Sequence, residues 1–451
     1  MTAILIAGAT LPDGETTDLL IDGGRILERG SGLSRSGART IDAAGLVALP
    51  GLVDLHTHLR EPGFEQSETV LTGTRAAAAG GFTAVFAMAN TSPVADTAGV
   101  VEQVASLGAH HGYATVRPIG AVTVGLAGER LSEIGAMARS RAEVRVFSDD
   151  GKCVHDALIM RRALEYVATF DGVIAQHAQE PRLTEGAQMN EGALSSQLGL
   201  AGWPPVAEEA IIARDVLLAD AVGARLHICH LSTAGSVEVV RWAKARGIRV
   251  TAEVTPHHLL LTEQLIAGDD GAEPGRDVVG SRGYDARLKV NPPLRRDEDV
   301  QALRAALVDG TIDIVATDHA PHPVETKECA WQEASFGMVG LESALSVVQA
   351  AVVDNGMLGW GDVARVLSRT PAQIGRLAGY DAPFEVGSPA HVALVDPAVS
   401  RRFATEHLHG KGVNSPYLGR ELPGRVVATF HAGVPTVLDG EPLAPEEVSH
   451  G

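Results

Sequence analysis

The stretch Leu52-Val53-Asp54-Leu55-His56-Thr57-His58-Leu59-Arg60 places two histidines two residues apart at the end of an apolar run. In a strand, residues i and i+2 project to the same face, so His56 and His58 aim two imidazoles at one point. Two convergent imidazole nitrogens begin a metal site. A motif this short recurs by chance, so the rest of the chain has to supply the other ligands.

Other residues with ligand or acid–base chemistry follow at intervals: Asn90, Asp149, Asp150, His177, His230, His257, His258, Asp318 and His322. Imidazole nitrogen and carboxylate oxygen without thiolate suit a catalytic zinc, whose coordination shell keeps one position for water. Six such ligands are enough for two metal ions, and a close pair of ions needs a bridging group. In Ser148-Asp149-Asp150-Gly151-Lys152 either an aspartate or a carboxylated lysine could supply it.

The elements that must position these groups are apolar strand-like runs alternating with alanine-rich helical stretches such as 72–79, 158–168, 207–221 and 236–245. Eight runs read as strands: 47–55, 83–88, 115–122, 143–147, 173–176, 225–229, 248–254 and 312–316. Repeated βα units argue a parallel sheet, and eight strands close a TIM-like (β/α)8 barrel, whose catalytic groups gather at the C-terminal strand ends. The polar residues fall at those ends: His56 and His58 at the first, Asn90 after the second, Asp149 and Asp150 after the fourth, His177, His230 and His257 after the fifth, sixth and seventh, and Asp318 after the eighth. Only the third end is chemically quiet. Both ends of the chain read as short strands broken by Asp-Gly turns. The expected fold is therefore α/β: a barrel over 49–384 and a small β-sandwich domain assembled from 1–48 and 385–451.

Composition narrows the setting. A hydrophobic fraction of 45% and a charged fraction of 21% over 451 residues are ordinary for a globular chain, and no 18-residue apolar run is present to span a bilayer. The first residues lack the basic segment of a secretory signal, so a cytoplasmic location is expected. A net charge of -19 repels nucleic acid and anionic membrane surfaces. Three cysteines, Cys153, Cys229 and Cys329, are too few and too scattered for a disulfide framework or a thiolate zinc site. The glycine-rich, charged stretch 268–285 reads as a long mobile loop.

Jointly, several motifs resemble the amidohydrolase superfamily, and within it the bacterial class I dihydroorotases, over nearly the whole chain. They are Val53-Asp54-Leu55-His56-Thr57-His58-Leu59-Arg60-Glu61-Pro62-Gly63, Asn90-Thr91, Phe147-Ser148-Asp149-Asp150-Gly151, Gln176-His177, Ile228-Cys229-His230-Leu231-Ser232, Thr255-Pro256-His257-His258, Lys289-Val290-Asn291-Pro292-Pro293-Leu294-Arg295, Ala316-Thr317-Asp318-His319-Ala320-Pro321-His322 and Gly340-Leu341-Glu342. The resemblance implies that His56, His58 and Asp318 hold one Zn2+ and that His177 and His230 hold a second where present. Asp150 would bridge, chosen over Asp149 by family spacing and over Lys152 because the lysine sits past Gly151. It also implies that Arg60, Asn90 and His322 bind a substrate carboxylate, that Asn291 contacts the ring, and that Asp318 moves the proton. The implied reaction is zinc-dependent, reversible cyclisation of N-carbamoyl-L-aspartate to L-dihydroorotate in pyrimidine synthesis. His257, His258 and His319 read as structural neighbours of the site. The expected partners are the small substrate, a second copy of the chain in a homodimer, and aspartate transcarbamoylase. Two other readings compete. One is a hydantoinase or allantoinase, against which Arg60 with Asn90 demands a carboxylate. The other is a non-catalytic dihydroorotase-like scaffold for the transcarbamoylase, against which stand six retained ligands.

Overall fold

In the computed structural model, which describes residues 3–268 and 279–449, the first strands are β1 (Ile4–Thr10), β2 (Thr16–Asp22), β3 (Arg25–Gly30), β4 (Arg39–Asp42) and β5 (Val47–Pro50). The β2–β3 turn is Gly23-Gly24, both at positive φ (56° and 80°), as a tight hairpin matched to strand twist requires.

Eight parallel strands follow: β6 (Leu52–Thr57), β7 (Phe82–Ala87), β8 (Thr115–Pro118), β9 (Val146–Phe147), β10 (Val173–Gln176), β11 (Arg225–Ile228), β12 (Val250–Val254) and β13 (Ile314–Val315). They pair as two arcs, β6-β7-β8 and β9-β10-β11-β12-β13. Single parallel bridges, Gly120 with Phe147 and Thr57 with His319, join the arcs into a closed barrel. Val53, Leu55, Phe86, Val146, Val173, Ala175 and Ile314 pack together as its inner core. Tyr380 plugs the end away from the site, its hydroxyl 2.8 Å from the Thr83 hydroxyl. Helices cover the outside, and the expected helical stretches are present with clear start signals. Thr69 caps Val70–Ala79, Asp156 caps Ala157–Ala168 and Thr233 caps Ala234–Ala245, each accepting from a backbone N–H of the first turn.

After the barrel come β14 (Val392–Arg402), β15 (Glu421–His431), β16 (Val434–Leu438) and β17 (Glu441–Pro442). Strands from both chain ends form one nine-stranded, mostly antiparallel sheet in the order β17-β16-β15-β14-β5-β1-β2-β3, with β4 beside β1. The chain is thus an α/β barrel with a small β domain drawn from both termini.

One expectation needs correction. The apolar run 47–55 is not a single barrel strand: it breaks at Gly51, leaving β5 in the small sheet and β6 in the barrel. The Gly51 N–H donates to the His391 carbonyl (2.9 Å), continuing the β5–β14 register by one residue, while its carbonyl leaves both ladders and accepts from Ser368 Oγ (2.8 Å). A Cβ at this position would lie 2.2 Å from Thr83 Oγ1, so only glycine lets the chain cross between the two sheets. The expectation of a mobile loop over 268–285 falls largely on 269–278, outside the described residues. Of its described flank, Val279 is buried, and Tyr284 donates its N–H to the Ile266 carbonyl (2.8 Å) and its hydroxyl to the Leu198 carbonyl (2.9 Å). No helix among the described residues is long and apolar enough to cross a membrane.

Candidate active site

Asp54 fastens the two strands that close the barrel. Its carboxylate accepts from the Thr317 N–H (2.8 Å), the Thr317 hydroxyl (2.6 Å) and the Thr57 hydroxyl. This sets His56 and His58, at the end of β6, against Asp318, just past β13.

The side chains then converge. His56 Nε2 lies 3.4 Å from Asp150 Oδ1 and 3.3 Å from Asp318 Oδ1, and His58 Nε2 lies 3.3 Å from Asp150 Oδ2 and 3.2 Å from Asp318 Oδ1. On the other side of Asp150, His177 Nδ1 is 3.1 Å and His230 Nε2 3.4 Å from Oδ1, with those two nitrogens 2.8 Å apart. Two ligand groups result, His56/His58/Asp150/Asp318 and Asp150/His177/His230, each with its donor atoms within 4.8 Å of one another and Asp150 common to both.

The far nitrogen of three of these histidines faces an acceptor. His56 Nδ1 meets Glu253 Oε1 at 2.6 Å, His58 Nδ1 meets Asn90 Oδ1 at 2.9 Å, and His177 Nε2 meets Gln179 Oε1 at 2.7 Å. An acceptor there draws the ring proton to the far nitrogen and turns the near nitrogen's lone pair toward Asp150, and for His56 and His58 toward Asp318 as well. His56 Nε2 is buried with no hydrogen-bond partner. Lone pairs and carboxylates aimed at common points fit a divalent cation, and the nitrogen–oxygen donor set is one that zinc accepts. The charge balance agrees. Burial opposes charge on His56, yet Asp150, Asp318 and Glu253 hold its imidazole well above the ordinary range. Burial likewise opposes ionisation of Asp150, but the surrounding imidazoles, His56 first, keep it well below the usual carboxylate range.

The structure separates the neighbouring candidates. Asp149 turns away, accepting from the Val122 N–H (2.8 Å), the Thr123 N–H (3.0 Å) and the Thr123 hydroxyl. Lys152 is exposed. His258 is tied to the Thr255 hydroxyl (2.7 Å) and the Pro292 carbonyl (3.2 Å), and His319 Nδ1 accepts from the Gly340 N–H at 3.2 Å. His257 lies within reach of the Asp318, His230 and His56 charges, and burial pushes it down to about 4.

Beside the cluster lie the other expected residues. Arg60 Nε donates to the Pro321 carbonyl (3.2 Å), and its Nη2 is 3.5 Å from His322 Nε2. Burial lowers Arg60 to about 10, against the pull of Asp318 and Asp150, so it stays a cation at neutral pH. Asn90 gives its oxygen to His58, and its Nδ2 faces Gly151, where a Cβ would lie 3.2 Å away. His322 donates from Nε2 to the Phe336 carbonyl (2.8 Å), and burial with the nearby Arg60 and Lys327 charges pushes it down to about 3. Asn291 donates from Nδ2 to Gln179 Oε1 (3.1 Å) and leaves its oxygen buried and unpartnered. Arg60, His230 and Asp318 all sit at positive φ (63°, 33° and 47°), a conformation costing on the order of 1 kcal/mol for residues with a Cβ and typical of functional sites.

Sequence reasoning missed Glu253, Gln179 and Asp54. Glu253 left a signal: a lone carboxylate inside the buried strand β12 needs a buried partner, and it has His56, His227 Nε2 (3.0 Å) and the His230 N–H (3.2 Å). Asp54 left the same signal, a carboxylate inside the buried strand β6, whereas Gln179 left none, because its role depends on His177 and the distant Asn291 meeting at its oxygen.

A closed parallel barrel with a His/Asp metal group at its strand ends is the architecture of the amidohydrolases. Solved structures with this fold include a dihydropyrimidinase from Brevibacillus agri NCHU1002 (TM-score 0.81, 22% identity, covering 99% of this chain and 97% of that one). Another is an L-hydantoinase from Arthrobacter aurescens (TM-score 0.84, 23% identity, 98% of each chain). The family model described as dihydro-orotase-like matches residues 45–236. A dihydroorotase of Leifsonia xyli subsp. xyli is 75% identical over 97% of both chains, and one of Mycobacterium tuberculosis is 51% identical over 97% of this chain and 99% of its own. The chain belongs to the dihydroorotase family.

Proposed function

We propose that the chain interconverts N-carbamoyl-L-aspartate and L-dihydroorotate, a cyclic-amide step of pyrimidine synthesis. The observation that carries this reading is Arg60, a half-buried cation set with Asn90 beside the His/Asp cluster: a planar donor fork suits a substrate carboxylate, which hydantoin and allantoin rings lack. Membership of the dihydroorotase family supports the same substrate.

We assign His56, His58 and Asp318 to one Zn2+, His177 and His230 to a second, and Asp150 to the bridge, giving one or two ions per chain. Bound there, such ions lower the pKa of water toward roughly 7 and polarise the scissile carbonyl. Asp318 then handles the proton. In ring opening its carboxylate takes the proton of the attacking water and returns it to the ring nitrogen as the C–N bond breaks; in cyclisation it removes the ureido proton and passes it to the departing water. Arg60 and Asn90 donate to the free carboxylate, His322 joins them when its Nε2–H turns from the Phe336 carbonyl to the substrate, and the unpartnered Asn291 oxygen accepts a ring N–H. The reading extends to a cytoplasmic homodimer that associates with aspartate transcarbamoylase. It also divides the chain into a barrel over 49–384 and a small domain from 1–48 and 385–451, with β5 crossing the first boundary.

Two measurements test it. Asp318→Asn should keep the fold and lose turnover by about a thousandfold or more, since a positioned acid–base group is worth about 10²–10⁴ and Asp318 also ligates; a substantially active variant overturns its role. Turnover of dihydroorotate, hydantoin and allantoin by the purified protein, with zinc counted per chain, tests the substrate. Activity on hydantoin without activity on dihydroorotate would refute the choice.

A further inference from the structure

Of the expected substrate contacts, two besides Arg60 and Asn90 are carried by separate loops: Asn291, and His322 beside Arg60. Asn291 follows Lys289-Val290, and His322 begins a long segment that returns through Phe336 and Gly337. At their junction sits a buried lysine. Lys327 is 6% exposed, and its ammonium donates to the carbonyls of Lys289 (3.2 Å), Ser335 (2.7 Å) and Gly337 (2.9 Å). Among the described residues it forms no ion pair.

Each of those carbonyls has a second significance. Ser335 and Gly337 flank Phe336, whose carbonyl accepts from His322 Nε2. The Lys289 carbonyl, two residues before Asn291, also accepts the Gly337 N–H (2.9 Å). Asn414 completes the junction: its Nδ2 donates to the Gly337 carbonyl (3.1 Å) and its Oδ1 accepts the His322 N–H (3.2 Å). Gly337 itself, at φ 136°, leaves no room for a side chain, since a Cβ would lie 2.9 Å from His322 Nε2. Lys289 is a second buried ammonium nearby, bound to the Trp331 carbonyl (2.7 Å) and 4.5 Å from the centre of the Phe336 ring.

We infer that Lys327 is a positioning residue for the substrate: its ammonium joins the Asn291 loop to the His322 loop and fixes the spacing between the two groups. This rests on the reading of Asn291 and His322 as substrate contacts. An ammonium has three protons for three carbonyls; the neutral amine has two, and its lone pair must then face a carbonyl oxygen. Burial, reinforced by the Lys289 charge and opposed by Asp285 and Cys329, lowers Lys327 to about 7, so the third donor is lost just above neutrality. The cavity of about 650 Å³ that Lys327 lines is shared with His322, which burial keeps neutral in that range, with Asp285, whose carboxylate the Arg287 guanidinium holds below the usual range against burial, and with Arg282, Arg287, Arg402 and Glu328. Lys289, lowered to about 8 by burial, loses its proton next.

The test is Lys327→Met, which keeps the chain length and removes every donor. The expected result is a KM for dihydroorotate raised about tenfold or more with kcat within about threefold, the signature of lost substrate binding, and zinc content unchanged. The unsubstituted enzyme supplies a second measurement that needs no variant to fold: its KM should be flat below pH 7 and climb toward pH 9. An unchanged KM in Lys327→Met, or a KM flat from pH 6 to 9 in the parent, overturns the inference. His322→Ala and Asn291→Ala separate the two levels. If they leave KM unchanged, the substrate reading fails; if they raise it while Lys327→Met does not, only the role of Lys327 fails.

Discussion

Glu253 shows how much of a metal-type site lies one shell out. One carboxylate faces His56 Nδ1, His227 Nε2 and the His230 N–H together, so it fixes a tautomer and the backbone of another ligand candidate. In Glu253→Gln the amide has one acceptor oxygen, and its NH2 faces a ring nitrogen. We expect metal affinity, read by competition with a chelator, to fall about 10- to 100-fold; parental affinity would remove Glu253 from the site. At this scale the sequence was informative where residue type alone carries chemistry. The two histidines of the β6 end and their partners at other strand ends were legible from spacing. The choice between Asp149 and Asp150 was not, because adjacent carboxylates look alike until Val122 and Thr123 claim one of them. Glu253 was legible only as a buried carboxylate in need of partners; which partners it has could not be read, since His56 and His227 arrive from β6 and β11.

Among the elements, helices were the most legible, because periodicity and the caps at Asp156 and Thr233 mark them locally. Barrel strands were recognisable as apolar runs, but their ladders are shorter than the runs: β9 and β13 are two residues each. The split at Gly51 had a signal in the turn-favouring pair Pro50-Gly51, masked by the apolar runs on either side, and what demands the glycine itself is the Thr83 side chain of another strand. Gly51→Ala should therefore destabilise the fold by about 1–3 kcal/mol, the usual range for overpacking. The denaturant midpoint measures this, and a variant as stable as its parent would show that Thr83 moves aside freely.

For the whole molecule, pH acts where the barrel meets the small sheet. His391 stacks on Tyr380 (centroids 4.7 Å apart) and accepts the Ala432 N–H at Nδ1 (3.3 Å). Burial, with the neighbouring His431, pushes it down to about 3. The unfolded histidine titrates near 6.5, so from there down to about pH 3 the unfolded chain binds the extra proton, and stability falls on acidification by up to about 1.4 kcal/mol per pH unit for this group. The urea midpoint should drop between pH 7 and pH 5, and His391→Phe should flatten that slope. Equal slopes in parent and variant would clear His391 of any part in acid sensitivity.

The one-residue crossing at Gly51 also bears on how the chain is made. β5 ends where the barrel begins, yet its ladder partner β14 lies near the other terminus, with Pro50 opposite Val392. A nascent chain therefore completes the barrel before the small sheet has its central pair, and β5, already beside β1, keeps the side that will face β14 unpaired through most of synthesis. Such long-range pairing is slow, and an open apolar edge is a template for association. The period of greatest exposure to misassembly thus falls after the catalytic half of the molecule has formed.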